Sequence, residues 1–295
     1  SSGTYRLNMT VIDSGGNLNI TNLGTITVDA IAPNATLISP ANGTSVNVPA
    51  QNFTVNASDV GTGLANGTLY VYNQTGLYNQ TSVGLGGVAN SLVGVVVTLV
   101  DGVYNWFYSF FDLAGNLFTS ENRTLAVDTV APSVVIVSPQ NITYNNRTQL
   151  VNISASGATN VWFYNGTANV SYTAEILVTF GEGSNTLIAY ANDSAGNLNT
   201  TSIIFGTDTI APSITIVSPQ SATYGDNQIL INISTSGAAN VWFYNGTGNT
   251  TYTTSTYQNF SDGVHTLIAY ANDSVGNFNQ TSISFTVNSL LPSIT

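Results

Sequence analysis

The chain has 295 residues, of which 43% are apolar and only 6% charged, with a formal net charge of −11. Arg6, Arg123 and Arg147 are its only strong bases, so nucleic acid and anionic membrane surfaces are poor candidate partners. Cysteine is absent, which removes disulfides and thiolate metal centres, and the lack of lysine removes a Lys–Asn isopeptide staple.

The first 29 residues end in "MTVIDSGGNLNITNLGTITVD" and match only the tail of a repeat unit. A unit then opens at "IAPNATLISP" (Ile31–Pro40) and runs to Thr129. The next opens with "APSVVIVSPQ" (Ala131–Gln140), which returns as "APSITIVSPQ" at Ala211–Gln220. "NVWFYNGT" at Asn160–Thr167 recurs letter for letter at Asn240–Thr247, and "LIAYANDSAGN" at Leu187–Asn197 recurs as "LIAYANDSVGN" at Leu267–Asn277. Pro212 minus Pro132 is 80 and Pro292 minus Pro212 is 80, whereas Pro132 minus Pro33 is 99. The surplus of the longer unit is placed around Gly76–Ser91, where a binding loop would be sought. The expected organisation is a C-terminal hairpin of a partial unit (1–30), units at 31–129, 130–209 and 210–289, and the start of a further unit at 290–295. Such a pattern reads as a window onto a longer repeat protein; the second possibility is that Ser1–Asp29 adds two strands to another subunit's sheet edge and so builds a filament.

Within a unit, Val134–Val137, Leu150–Ser154, Val161–Tyr164, Ile176–Phe180, Thr186–Ala191 and Thr201–Phe205 are short, β-branched or aromatic, and punctuated by Gly, Asn, Asp and Ser. That is strand and turn chemistry with no helical periodicity. The fold class is all-β, and a seven-strand β-sandwich of about 80 residues fits each unit. The Asp-Thr-x-Ala-Pro links, in which proline fixes φ and keeps the preceding residue extended, predict an elongated, stiff rod. The longest apolar run, Leu92–Val100 broken by Gly94, is half a membrane span.

A unit opening with "DTVAP" (Asp128–Pro132) or "DTIAP" (Asp208–Pro212) and closing with "YANDSAGN" (Tyr190–Asn197) or "YANDSVGN" (Tyr270–Asn277) resembles the tandem immunoglobulin-like, Big-type repeats of bacterial and archaeal surface proteins. Degenerate copies stand at Phe110–Asn116 and Thr10–Asn17. The resemblance implies an extracellular, cell-surface location and leaves function open among filaments, coats, adhesins and enzyme spacers.

Side chains alternate across a strand. In "LYVYNQT" (Leu69–Thr75) the aliphatic Leu69 and Val71 share one face and Tyr70 and Tyr72 the other. That phase puts Val161, Phe163, Val241 and Phe243 in the core. It turns Trp162, Tyr164, Tyr190, Trp242, Tyr244 and Tyr270 outward as an interaction patch, with Ile188 beside them. The opposite phase would make Trp162 the buried tryptophan common in immunoglobulin folds.

There are 23 Asn-x-Ser/Thr sequons. Those at Asn56, Asn122, Asn165, Asn192, Asn199, Asn245, Asn272 and Asn279 are candidate N-glycosylation sites, consistent with an exported glycoprotein. Dense sequons with little charge also resemble archaeal cell-surface proteins, and such amide-and-hydroxyl polarity would tolerate acid. The recurring Asp128, Asp193, Asp208 and Asp273 have two readings: turn-forming aspartates, or calcium at each junction. The scarcity of further oxygen ligands favours the turn, so no cofactor is expected. His265 is the single histidine, and it replaces Asn185 of the preceding repeat. With no nucleophile–base constellation, the chain reads as a non-enzyme. It is expected to be a structural component of an extracellular glycosylated filament, stalk or coat, its partners being other copies and N-linked glycans. The alternatives are an adhesin or carbohydrate-binding module, or the spacer of a larger exported enzyme.

Overall fold

The computed structural model describes residues 2–290. Of the segment 290–295 assigned to a further unit, all but Leu290 lies outside the described residues. Every helix or strand among the described residues is a β-strand, and no helix is long and apolar enough to cross a membrane. By compactness the chain divides into two units. One is Ser1–Ser133 with Gly157–Asn160 and Ala191–Asn199; the other is Val134–Ser156, Val161–Tyr190 and Thr200–Thr295.

The first unit starts with an antiparallel hairpin, β1 (Gly3–Ile12) and β2 (Leu18–Val28), exposed along both strands. Asp13 sets its turn. Oδ1 accepts the N–H groups of Gly15 and Asn17 at 2.9 and 2.8 Å, and Asn17 Nδ2 donates to Oδ2 at 2.8 Å. These bonds, the Asn17 side chain first, hold the Asp13 carboxyl below its ordinary range.

The same unit holds a complete sandwich: β3 (Asn34–Ser39), β4 (Thr44–Val46), β5 (Ala50–Ser58), β6 (Leu64–Asn73), β7 (Gly76–Val88), β8 (Asn90–Thr98), β9 (Gly102–Asp112), β10 (Leu117–Thr119) and β11 (Arg123–Val127). One sheet runs β3-β5-β8; the other runs β4-β11-β9-β6-β7 with β10 added on β9. Between them lies a core of period-two side chains: Phe53, Val55 and Ala57 from β5, Val93, Val95 and Val97 from β8, and Tyr104, Trp106, Tyr108 and Phe110 from β9. Tyr108 donates its hydroxyl proton to Phe53 O at 2.7 Å, and burial pushes its phenol well above the usual range. The surplus around Gly76–Ser91 is not a loop. Most of it is β7, thirteen residues paired along β6, because its small and β-branched residues alternate in the way a half-buried strand requires.

The middle repeat contributes residues to both units. Its strands are β12 (Ser133–Ser138), β13 (Thr143–Tyr144), β14 (Thr148–Ser156), β15 (Asn160–Tyr164), β16 (Asn169–Ser171), β17 (Ile176–Thr179), β18 (Gly183–Asn192) and β19 (Leu198–Thr207). They form sheets ordered β12-β14-β17 and β13-β19-β18-β15-β16. The second unit holds the last sandwich: β20 (Ser213–Ser218), β21 (Thr223–Tyr224), β22 (Gln228–Ser236), β23 (Asn240–Tyr244), β24 (Asn249–Thr251), β25 (Thr256–Asn259), β26 (Gly263–Asn272) and β27 (Phe278–Val287). Its sheets, β20-β22-β25 and β21-β27-β26-β23-β24, repeat the order of the middle repeat. Ile229, Ile231, Phe243, Phe260, Leu267 and Phe285 fill its core. The short β13 and β21, each parallel to the last strand of its sheet, raise the strand count to eight where seven are expected.

Candidate functional site

Phe163 and Phe243 are fully buried, as are Leu187, Ala189, Leu267 and Ala269. Trp162, Tyr164, Tyr190, Trp242, Tyr244 and Tyr270 are on the opposite face, each half-buried. Their rings cover one another. Trp242 stands directly opposite Tyr270 across β23 and β26, so the register itself creates the stack. The two centroids are 5.5 Å apart with planes 16° apart, and Trp162 and Tyr190 stack at 5.3 Å and 4°. Tyr164 and Tyr244 turn their hydroxyls onto Gly166 O and Gly246 O at 2.8 and 2.9 Å, closing the adjoining turns. The tryptophan enclosed between two sheets is a different one, Trp106. Two members of the aromatic surface escaped the sequence reading. Phe107 stacks on Tyr70 at 5.0 Å, and the exposed Phe278 lies 6.1 Å from Trp242 and 6.0 Å from Tyr270. The one signal for Phe278 in the sequence is its replacement of Leu198 in an otherwise similar turn.

The recurring aspartates form a second constellation. Asp193 Oδ1 accepts the N–H groups of Ala195 and Asn197, both at 2.9 Å. Asn197 Nδ2 donates to Asp193 Oδ2 at 2.9 Å and also to the backbone oxygen of Asp128 at 2.8 Å. Eighty residues on, Asn277 Nδ2 binds Asp273 Oδ2 at 2.7 Å and Asp208 O at 2.8 Å. In the first sandwich Asn116 Nδ2 binds Asp112 Oδ2 at 2.7 Å and Asp29 O at 3.1 Å. In each case a turn asparagine clamps the carbonyl that opens the Ala-Pro link. The link aspartates themselves cap the next bend: Val130 N–H donates to Asp128 Oδ1 at 3.0 Å and Ile210 N–H to Asp208 Oδ1 at 3.1 Å. The Asn197 side chain leads the bonds that lower the Asp193 carboxyl. At Asp273 burial pushes upward, but the Asn277 bonds outweigh it and the net direction is down. Among the described residues Asp128, Asp193, Asp208 and Asp273 gather no third carboxylate. They are placed as turn formers.

The sequons fall into distinct environments. Asn56 and Asn122 are exposed, and Asn165, Asn192, Asn199, Asn245, Asn272 and Asn279 are half-buried. Asn199 and Asn279 donate their side-chain N–H to Pro132 O and Pro212 O, each at 2.9 Å. Asn165 and Asn245 instead accept from the hydroxyls of Thr167 and Thr247 at 2.8 Å, within tight turns.

His265 Nε2 lies 2.6 Å from Ser261 O and its ring packs between Phe260 and Phe285, a structural setting. An open cavity of 620 Å³ is lined by Ile142, Glu182, Ser184, Phe205, Asp208 and Ile210. Both of its carboxylates are engaged, Glu182 with the Thr209 hydroxyl and Asp208 with its own bend.

No protein-family model and no curated protein matches this sequence. The chain is similar to a solved I-band fragment of titin, I67–I69, at 14% identity and TM-score 0.51, covering 88% of this chain and 99% of that one. The fold is that of tandem immunoglobulin-like sandwiches. Looser similarity, at TM-score 0.36 and 17% identity, joins it to a tetra-tandem repeat in the extending region of a large adhesion protein, over 98% of this chain and 82% of that one. The same TM-score and identity relate it to fibronectin(III)-like modules of Clostridium thermocellum CbhA, over 59% of this chain and 94% of that one.

Proposed function

We propose that the chain is a scaffold segment of an exported cell-surface protein. In this reading the sandwiches at 31–129, 130–209 and 210–289 are separate folding domains, glycosylated and assembled with further copies into a filament, stalk or coat. The observation that carries it is the recurrent clamp. Asn116, Asn197 and Asn277 each tie a turn to the carbonyl opening the preceding link, a use of side chains that holds the link. Polarity supplied by amides and hydroxyls, with sequons at the exposed Asn56 and Asn122, supports an extracellular setting.

The stacked rings support contact between copies over sugar binding. A carbohydrate platform needs an open aromatic face, whereas Trp162 and Tyr190, like Trp242 and Tyr270, each give one face to the other. The stacking reduces the ring area open to a sugar, and these half-buried rings are apt for packing against a second sheet. Antibody-labelled electron micrographs of intact cells and shed surface material test the proposal. Ordered, labelled assemblies outside the cell are expected; label confined to the cell interior contradicts it.

A further inference from the structure

We propose that the first sandwich carries a calcium site formed by Asp29, Asp59 and Asp112. One carboxylate oxygen from each of the three lies within 4.8 Å of the others. Calcium takes oxygen ligands at about 2.3–2.6 Å, so oxygens on opposite sides of one ion stand about 5 Å apart, and all three fit a single shell. Asp59 and Asp112 are 5% and 2% exposed. Burying two carboxylates beside a third is costly unless a cation compensates them. Among the described residues the only ion pair is Arg123 with Glu121, away from this cluster.

The decisive atom is Asp59 Oδ1. It is buried and accepts no hydrogen bond. The neighbouring Oδ2 is satisfied by the N–H groups of Gly61 and Gly63 at 3.0 and 2.7 Å. Those two bonds fix the carboxylate and leave Oδ1 for another partner. Asp29 is fixed in the same manner: Oδ2 accepts from Thr62 N–H at 2.7 Å and the Thr62 hydroxyl at 3.1 Å, and Oδ1 from Ile31 N–H at 3.0 Å and the Ser2 hydroxyl at 3.4 Å. Asp112 Oδ1 accepts from Asn116 N–H at 2.8 Å and Oδ2 from its side chain at 2.7 Å. Each Asp112 oxygen accepts one bond and keeps a second lone pair for a metal, and on Asp29 the 3.4 Å Ser2 hydroxyl is the longest bond and the first a metal would displace.

The loop is shaped for this approach. "DVGTG" (Asp59–Gly63) stands where the later repeats have "SGATN" (Ser156–Asn160) and "SGAAN" (Ser236–Asn240), neither with a carboxylate. A Cβ at Gly61 would overlap Asp29 Oδ2, and one at Gly63 would overlap Gly87 O. Glycine at 61 lets the loop close onto Asp29, and glycine at 63 lets it lie against Gly87. The later sandwiches, with their two aspartates and a clamping asparagine, lack the third carboxylate and should bind nothing.

Calorimetric titration of the full chain with calcium chloride, after chelator treatment, tests the site. One ion per chain is expected, with affinity in the range of extracellular modules, about 10⁻⁴–10⁻³ M. Asp59→Asn should weaken binding at least tenfold, and Asp193→Asn, at the equivalent turn of the next repeat, should leave it unchanged. Asp29→Asn gives a second variant should Asp59→Asn disturb folding, which circular dichroism would reveal. Absence of heat in the parent chain at ten millimolar calcium would overturn the proposal. So would undiminished binding in both folded site variants.

Discussion

The first and last sandwiches share a strand order but fill their interiors in opposite ways. On the strand pair β6–β9, Gly67 faces Phe110 and Leu69 faces Tyr108. On the corresponding pair β23–β26, Val241 faces Ala271 and Phe243 faces Ala269. Bulk that the first sandwich puts on its later strand is on the earlier strand of the last one. Residues directly opposite across a ladder share a face and compete for the space beside it; Phe243 packs against the small Ala269 and Phe110 against Gly67, whereas Leu69 and Tyr108 are both large. The lesson is that the architecture fixes the face a pair shares, not which strand carries the bulk.

The most severe way to break this arrangement is to empty one side of a pair. Phe243→Ala and Phe110→Ala should each cost about 3–5 kcal/mol, because the facing Ala269 or Gly67 cannot close the space. Denaturant titration should show the loss in one transition only. Importing the other sandwich's solution sharpens the test. Ala269→Tyr alone should cost about 1–3 kcal/mol by overpacking, and combining it with Phe243→Leu should recover part of that. A coupling energy of about 0.5–3 kcal/mol in the double-mutant cycle is expected; strict additivity would mean the two positions do not share a volume.

Gly67→Ala is a finer probe. Its new Cβ would overlap Phe110 Cε1, so a cost of about 1–3 kcal/mol is expected. That cost should shrink in a Phe110→Leu background. A smaller effect, about 1–2 kcal/mol, is expected from Asn277→Ala, which removes the clamp on Asp208 O and the bond to Asp273. Hydrogen exchange at the Asp208–Pro212 link should rise with it.

These pairs also mark how far the sequence could be read. Alternation was enough to place Phe163 and Phe243 inside and Trp162 and Trp242 outside, because the side-chain period is two. It did not reveal that "LYVYNQT" slides by two residues against "VWFYNGT". Taking the Asp-Asn turns as the common reference, Leu69 opposite Tyr108 occupies the place of Phe243 opposite Ala269. A slip of two leaves every face unchanged, so the pattern carries no trace of it. The loop at Asp59–Gly63 was hidden for another reason. Its partners, Asp29 and Asp112, lie 30 and 53 residues away in the chain, and only pairing of strands brings them together. The long β7 was misplaced as a loop because its glycines signal turns locally while the ladder with β6 decides the outcome.

The gentlest perturbation is acid. Asp13, Asp29, Asp193, Asp262 and Asp273 all hold their protons less tightly than the ordinary value of 3.8. Backbone N–H bonds from Ile31 and then Thr62 lead the lowering at Asp29, and Ser289 that at Asp262. A lowered folded value means the stability these groups add is complete above pH 3.8 and fades as pH falls through the lowered values. Melting temperature should therefore be insensitive to these groups from neutrality to about pH 4 and decline below it. A decline centred near pH 6 would contradict that assignment.

Stretching the full chain at constant velocity tests the claim that each repeat is its own folding domain and the whole a linked scaffold. Three separate unfolding events are predicted, with contour gains in the ratio of the repeat steps, 99 to 80 to 80 residues. A single event, or two events dividing the chain at its two compact units, would contradict it.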